Sequence, residues 1–177
     1  MSTVAQSLSC AARLAPDVAA AEAPRIIVLG LGNPLLTDDS VGLRVVDRLL
    51  SALADRPGLE LAEDYWGGLR LMERLVGYDR AIIIDAQRSG GLPGKVSILA
   101  AEAPPTQHSS SAHDLDLWTA LEFGRHAGFK LPQPGDIRIV AIEAAEVEAF
   151  SEECTPAVAA SVLVAAELVQ SLLTEWR

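Results

Sequence analysis

The chain has 177 residues and a formal net charge of −10 at pH 7, and 50% of its residues are hydrophobic. This length suits one domain with a substantial core. The scattered acidic charge offers no basic surface for a phosphate backbone, so we predict no nucleic-acid partner. No apolar run approaches the roughly 20 residues that span a bilayer, so we predict no membrane partner either. The two cysteines, Cys10 and Cys154, lack a paired spacing, which favours a reducing cytoplasm over a disulfide framework.

Residues 1–24 differ in composition from the rest of the chain. They are rich in alanine and are interrupted by charged residues, without the basic start and apolar stretch of an export signal. We expect a mobile N-terminal tail at 1–24, followed by a single α/β domain at 25–177.

Strand and helix patterns alternate along this domain. A continuous apolar run ends at a glycine and predicts a strand at 25–30 that is buried on both faces. The turn Gly-Leu-Gly-Asn-Pro at 30–34 leads into a helix whose apolar residues recur at helical spacing. Further strands are predicted at 59–66, 81–85, 95–99 and 137–142, with helices at 68–76, around 117–121 and from Pro156 onward. The alternation predicts an α/β fold of the phosphorylase/hydrolase-like type, with a single mixed, mostly parallel sheet sandwiched between helices.

Three polar positions are expected at the carboxyl edge of this sheet, where the sites of open α/β folds gather. Asp38 and Asp39 follow the glycine turn at a helix start, where capping is the simpler interpretation, although a pair leaves one acid for another role. Asp85 closes an apolar strand, where an ionised carboxylate needs a cation or hydrogen-bond donors unless it only forms a turn. His113 precedes a predicted helix, and an ordinary polar role is its simpler interpretation.

Together these residues offer two carboxylates and one imidazole, a donor set that suits a borderline divalent metal and leaves coordination positions open. The candidate metal ligands are one acid of the Asp38-Asp39 pair together with Asp85 and His113. The predicted substrate-binding residues are Gly32, Asn33 and Asp38. For Asn33 two interpretations stay open, because its amide either holds a ligand or only holds the loop.

Other chemistries have weaker support. The chain contains no G-x-S-x-G motif, and Cys154 has no evident histidine partner, so covalent catalysis is not expected. The third glycine of a dinucleotide motif is replaced by Leu35, and we predict no organic cofactor.

The segment Ile-Val-Leu-Gly-Leu-Gly-Asn-Pro-Leu-Leu-Thr-Asp-Asp-Ser-Val-Gly at 27–42 resembles the hydrogenase maturation proteases, as do 82–86, the His113 region, 137–142 and 155–158. In that family the second acid of the pair, the acid of the buried strand and the later histidine bind metal. These positions match Asp39, Asp85 and His113, so the resemblance implies that these three are the metal ligands and the catalytic residues. The loop Asp-Tyr-Trp-Gly-Gly at 64–68 departs from the family's glycine-rich type, which indicates a difference in substrate choice.

The resemblance implies an endopeptidase that removes the C-terminal extension of a nickel-iron hydrogenase large subunit precursor. The partner would be the nickel-loaded precursor, and nickel would be bound transiently as a feature of the substrate. We expect a cytoplasmic monomer.

Two alternatives are considered beside this function. Peptidyl-tRNA hydrolase shares the Gly-Leu-Gly-Asn-Pro turn, but it would be expected to have a basic surface and a histidine after the turn, where this chain has Thr37-Asp38-Asp39. A non-catalytic nickel-sensing or escort protein would keep the same three ligands, and the sequence leaves that alternative open.

Overall fold

The structure, a computed structural model, describes residues 23–99 and 117–176. In these residues the strands are β1 (Ile26–Leu31), β2 (Leu59–Asp64), β3 (Arg80–Gln87), β4 (Val96–Leu99) and β5 (Ile137–Glu143). The α-helices are α1 (Val41–Leu53), α2 (Gly68–Arg74), α3 (Leu117–His126) and α4 (Pro156–Glu175). Residues 1–22 of the predicted tail lie outside the described residues, so the division into a tail and one domain stays a prediction.

The strands form one five-stranded sheet in the order β2-β1-β3-β5-β4. The first four strands in this order are parallel, and β4 runs antiparallel to β5 at one edge. This confirms the predicted mixed, mostly parallel sheet. A short segment, 88–95, joins β3 to β4, so β4 begins at the edge where β3 ends and runs in the opposite direction on the far side of β5. A parallel β4 would require a long crossover connection.

Each face of the sheet is covered by its own pair of helices. On β1, Ile26 and Val28 belong to the hydrophobic cluster that includes α1 and α4, while Ile27 and Leu29 belong to the cluster that includes α2 and α3. A strand buried on both faces needs apolar residues at every position, which explains the unbroken run of the sequence. The predicted sandwich of helices around the sheet is confirmed.

Helix α4 has the length and apolar composition of a membrane-spanning segment, whereas the sequence was expected to hold no such run. In the structure its residues Val158, Ala165 and Val169 are buried in the cluster shared with α1 and β5. The outer side of the helix carries polar residues such as Glu167 and Gln170 together with the exposed apolar residues Leu163 and Val164. Packing of this kind is typical of a core helix, and the absence of a membrane partner stays a prediction.

Strand β3 extends one residue further at its start and two residues further at its end than the predicted strand at 81–85. It continues past Asp85 because it pairs with β5 through Gln87, which lies opposite Glu143. Asp85 is therefore inside the strand and not at its end, with Ala141 of β5 as its neighbour in the register.

Candidate functional site

Two glycines bring the start of α1 against the ends of β1 and β3. Gly32 has a φ of +148°, and a Cβ atom there would lie 2.0 Å from the carbonyl oxygen of Asp39. A Cβ atom at Gly42 would lie 2.3 Å from the oxygen of Leu31 and 2.5 Å from that of Ile84. Only glycine permits such close approach of two backbones. The segment before α1 is consequently held at the carboxyl edge of the sheet.

Asp39 lies in this segment, in a single turn of 3-10 helix at Asp38–Ser40. Its side chain is only 4% exposed, and its Oδ2 atom accepts a hydrogen bond of 2.8 Å from the backbone N–H of Asn33. The turn contacts β3. Asp39 is thus fixed beside the carboxyl ends of β1 and β3.

Asp85 is completely buried in β3, and its Oδ1 atom accepts a hydrogen bond of 2.9 Å from the backbone N–H of Ala86. The preceding residue, Ile84, is the one whose carbonyl oxygen approaches Gly42 at the start of α1. The structure therefore brings Asp39 and Asp85 to the same edge, on adjacent elements.

The third predicted ligand, His113, lies outside the described residues, so its place beside the two acids stays a prediction. Within 23–99 and 117–176, no group of three His, Cys, Asp or Glu side chains is arranged to hold a metal ion. A site of two acids from this part of the chain requires a further ligand from elsewhere in the protein or from a partner.

Asp38 has a different environment from its neighbour. It is fully buried, and its carboxylate accepts hydrogen bonds from the backbone N–H groups of Ala145 (2.9 Å), Glu146 (3.0 Å) and Thr155 (2.6 Å) and from the Thr155 hydroxyl (3.0 Å). Ser40 is the N-cap residue of α1, and its side chain makes no capping hydrogen bond. Asp38 does not cap α1 either, because its carboxylate binds Thr155, the N-cap residue of α4. These contacts are internal, and its predicted role in substrate binding stays a prediction.

The predicted loop residues Gly32 and Asn33 organise the same region. The Oδ1 atom of Asn33 accepts a hydrogen bond of 3.0 Å from the backbone N–H of Leu35, and its own N–H binds Asp39. The N–H of Gly32 donates to the carbonyl oxygen of Asp64 at the end of β2. Of the two interpretations of Asn33, the described contacts support the one in which its amide holds the loop.

Glu143, at the end of β5, is a buried acid that the sequence interpretation missed. Its carboxylate accepts hydrogen bonds from the N–H groups of Ser89 (2.8 Å) and Gly91 (2.9 Å), the Ser89 hydroxyl (2.7 Å) and the Gln87 amide (3.1 Å). Burial raises the pKa of Glu143, but these donors outweigh it and hold the pKa below its ordinary value near 4.5. Glu143 therefore fixes the loop between β3 and β4. The sequence signal that could have identified Glu143 is the position of an acid directly after an apolar strand.

Cys154 lies near the turn that precedes α1, with its Sγ atom 3.5 Å from the Oγ atom of the buried Ser40. Burial is the main cause that raises the pKa of its thiol above the ordinary value. A reactive cysteine instead needs a lowered pKa, because the thiolate is the nucleophile. The environment of Cys154 agrees with the expectation that it is not a catalytic nucleophile.

Comparison with known proteins decides the family. A sequence profile described as hydrogenase maturation protease matches residues 43–172. The chain belongs to the hydrogenase maturation protease family. It is 35% identical over 107 residues to the hydrogenase 2 maturation protease of Escherichia coli K12, an alignment that covers 59% of this chain and 65% of that protein, just under two thirds. It is 25% identical over 154 residues to the hydrogenase expression/formation protein HupD of Rhizobium leguminosarum bv. viciae, covering 87% and 76% of the two chains.

A solved structure in this family has the same fold. The hydrogenase maturating endopeptidase HybD from E. coli is similar with a TM-score of 0.68 and 26% identity, over 85% of this chain and 93% of that chain. The fold and the resemblance predicted from the sequence are both confirmed, and with them membership in a family of peptide-cleaving enzymes. The profile match begins after Asp39, so it does not include this acid, and the predicted metal-binding role of Asp39 stays a prediction.

Proposed function

We propose that this chain is an endopeptidase that removes the C-terminal extension of a nickel-iron hydrogenase large subunit precursor after nickel has been inserted. One observation carries the proposal. Asp39 and Asp85, 4% and 0% exposed, lie at one edge of the sheet in a member of the hydrogenase maturation protease family. The names of its relatives, a hydrogenase 2 maturation protease and a hydrogenase maturating endopeptidase, support the same reaction class.

In this proposal, nickel of the precursor is recognised by Asp39, Asp85 and His113. Two buried carboxylates in one region are unfavourable while both are ionised, unless a cation or hydrogen-bond donors compensate. A divalent metal relieves their repulsion and makes the interaction strongest when the precursor is loaded. Two carboxylates and one imidazole leave further coordination positions for the precursor's own ligands. Recognition then depends on nickel without making nickel a resident cofactor.

The same arrangement supplies the chemistry of hydrolysis. A metal ion near the cleavage point polarises the scissile carbonyl or a water molecule, and a carboxylate accepts the proton of the attacking water. The water oxygen bonds to the carbonyl carbon, the carbon–nitrogen bond breaks, and the extension leaves as an amine that takes up a proton. We place this reaction in the cytoplasm, where both cysteines remain reduced.

The intact mass of an extended, nickel-loaded precursor tests the activity directly. Purified precursor is incubated with the full chain, and the large subunit is followed by mass spectrometry. We expect its mass to fall by that of the C-terminal extension, with the released peptide as the second product. A stable complex with a precursor of unchanged mass would contradict the proposal and support the escort alternative.

A further inference from the structure

An open cavity borders the carboxyl end of β2, and exposed aromatic residues line it. Tyr65 and Trp66 are 60% and 44% exposed, and their ring centroids lie 5.2 Å apart. The cavity has a volume of about 870 Å³, a size typical of ligand-binding clefts. These residues belong to the loop at 64–68, where the sequence indicated a difference in substrate choice. Exposed aromatic rings that contact each other at a cavity indicate an interaction surface.

Arg70 of α2 lies over one of these rings in the same cavity. Its guanidinium carbon is 4.4 Å from the centroid of the Trp66 ring, which is a cation–π contact. A guanidinium that stacks by its face keeps its N–H donors available at its edge. In the part of the chain that the structure describes, no acceptor binds the side chain of Arg70. Arg70 is therefore a positioned, exposed cation whose donors are available to a ligand. We name these three residues the Tyr65–Trp66–Arg70 cluster.

The acid at the start of the loop, Asp64, is already paired. Its carboxylate forms an ion pair with Arg74 at 3.3 Å. Its Oδ1 atom also accepts hydrogen bonds from the backbone N–H groups of Tyr65 (2.8 Å) and Trp66 (3.3 Å). Asp64 therefore orders the aromatic loop and is not the partner of Arg70. The two oxygens of a carboxylate match the paired N–H groups of a guanidinium, so an external carboxylate is the ligand that Arg70 fits best.

The sheet register places this cavity close to the site of the two buried acids. Gly30 of β1 pairs with Glu63 of β2 and with Ile84 of β3. The residues that follow these partners, Asp64 and Asp85, are therefore at the same level of the sheet on either side of β1. Two strand spacings put their backbones about 10 Å apart. An extended peptide of about three residues spans this distance.

The side chains of Asp64 and Asp85 also lie on one face of the sheet. Ala62 and Ile83, two positions before them, both belong to the hydrophobic cluster that includes α2 and α3. Side chains two positions apart on a strand point to the same face. Both acids therefore point to the side of the sheet that α2 covers, where Arg70 lies. A peptide bound at Asp85 has a short path along this face to the cavity.

We infer that the Tyr65–Trp66–Arg70 cluster binds a carboxylate of the precursor's C-terminal extension through the Arg70 guanidinium. This inference rests on the proposed function, because that function supplies the peptide. The mature part of the precursor carries the nickel and covers Asp39 and Asp85, so the chain beyond the cut bond is the segment that reaches the cavity. Its carboxylate is the terminal one or that of an acidic side chain. Arg70 is then a specificity-determining residue that contributes to binding and not to the chemical step.

The test removes the guanidinium and follows cleavage of nickel-loaded precursor at several concentrations. We expect Arg70→Gln to raise KM about tenfold, as for loss of a hydrogen-bonded charged group, with kcat changed less than about twofold. Trp66→Leu, which removes the ring beneath the guanidinium, should act in the same direction with a smaller effect. Arg48→Gln is the matched control, because Arg48 is exposed on α1, which packs on the other face of the sheet. It should leave KM unchanged.

Two altered precursors distinguish the two sources of the carboxylate. One is made by peptide ligation to end in an amide, and in the other every Asp and Glu of the extension is changed to Asn or Gln. The precursor that lacks the recognised carboxylate should raise KM of the wild-type protein about tenfold, and Arg70→Gln should then add no further increase. If Arg70→Gln raises KM and neither altered precursor does, the inference is overturned.

The sign of the charge effect distinguishes a carboxylate from a cationic ligand. Glu73 is exposed and lines the same cavity. Glu73→Gln removes a negative charge near the proposed anionic ligand, so it should lower KM by up to about threefold. A lysine or arginine side chain in the cavity would reverse both effects. Lowered KM for Arg70→Gln together with raised KM for Glu73→Gln would contradict the inference.

Binding to immobilised nickel-loaded precursor, measured in parallel, separates this inference from the proposed function. If the wild-type protein binds and does not cut, the proposed function fails, and weaker binding by Arg70→Gln still supports the cluster as a carboxylate site. If the wild-type protein cuts and Arg70→Gln has the same KM and affinity, the inference alone is overturned. A wild-type protein that neither binds nor cuts the precursor overturns both.

Discussion

The two edges of the sheet carry acidic residues in contrasting environments. At the amino edge, Asp79 lies at the surface and pairs with Lys130 at 2.8 Å, and this contact is the main cause that lowers the pKa of Asp79. At the carboxyl edge, four acids among the residues that the structure describes are 4% exposed or less: Asp38, Asp39, Asp85 and Glu143. Each accepts at least one hydrogen bond from a backbone N–H group, and Asp38 and Glu143 each accept four hydrogen bonds from residues distant in the sequence.

This difference separates stability from function. An exposed ion pair contributes little free energy, and its loss is tolerated. A buried carboxylate is unfavourable unless donors or a cation compensate, so a fold that keeps four of them at one edge uses them for positioning or chemistry. Asp38 and Glu143 hold loops, while Asp39 and Asp85 are the pair we assign to nickel. The predictions below test this division.

Replacing Asp39 or Asp85, the two acids that we propose contact nickel, should have the largest effect. We expect Asp39→Asn and Asp85→Asn each to reduce cleavage of the nickel-loaded precursor by more than about 100-fold, since residues that merely orient a metal ligand are worth 10–100-fold. Cleavage rate is measured by mass spectrometry, and circular dichroism checks the fold. Asp136→Asn makes the same chemical change before β5, at the amino edge, and should leave the rate unchanged. Full activity of either site variant would remove that acid from the nickel site.

Replacing Asp38 should instead destabilise the fold. Asp38→Ala leaves the N–H groups of Ala145, Glu146 and Thr155 without their acceptor, and we expect a loss of about 3 kcal/mol in the free energy of unfolding. Urea denaturation measures this loss. The exposed Asp55 provides a matched control, because Asp55→Ala should change stability by less than about 0.5 kcal/mol. Equal stability of the two variants would show that Asp38 does not anchor α4.

Glu143 should affect stability in a pH-dependent manner. Its pKa is lowered in the folded protein, so its ionised form stabilises the fold above its ordinary pKa near 4.5, and this contribution disappears as the pH falls through the folded pKa. We expect Glu143→Gln to lose about 1–3 kcal/mol at pH 7, and the difference from wild type to shrink in acid. Urea titrations at pH 7 and in steps below pH 5 give the comparison.

The amino edge supplies the control for Glu143. Lys130→Ala removes an exposed ion pair and should change stability by less than about 1 kcal/mol at pH 7. It should not alter cleavage. A loss for Lys130→Ala as large as that for Glu143→Gln would contradict the contrast between the two edges.

Local patterns in the sequence were sufficient to predict the fold. The apolar run at 26–29 and the helical spacing after it predicted β1 and α1, because burial on two faces and burial on one stripe leave distinct periodicities. The extension of β3 past Asp85 was missed, since it depends on pairing with β5, whose residue Glu143 is 56 positions from Gln87. Such long-range pairing has no local signature.

The site stays a prediction, although the sequence selected two acids that the structure places at one edge. Position and chemistry selected Asp85 and the Asp38-Asp39 pair, the family resemblance selected Asp39 within that pair, and the glycines around them explain how they are brought to one edge. The partners of Asp38 lie 107 to 117 residues away, so its anchoring role does not follow from the neighbouring sequence.

The most direct test of the nickel assignment compares one precursor in two metal states. The extended large subunit is prepared with nickel and in nickel-free form, and each is incubated with the wild-type chain while its intact mass is recorded. We predict loss of the C-terminal extension from the nickel-loaded form and an unchanged mass for the nickel-free form. Equal cleavage of both would contradict the claim that Asp39, Asp85 and His113 act through nickel of the substrate.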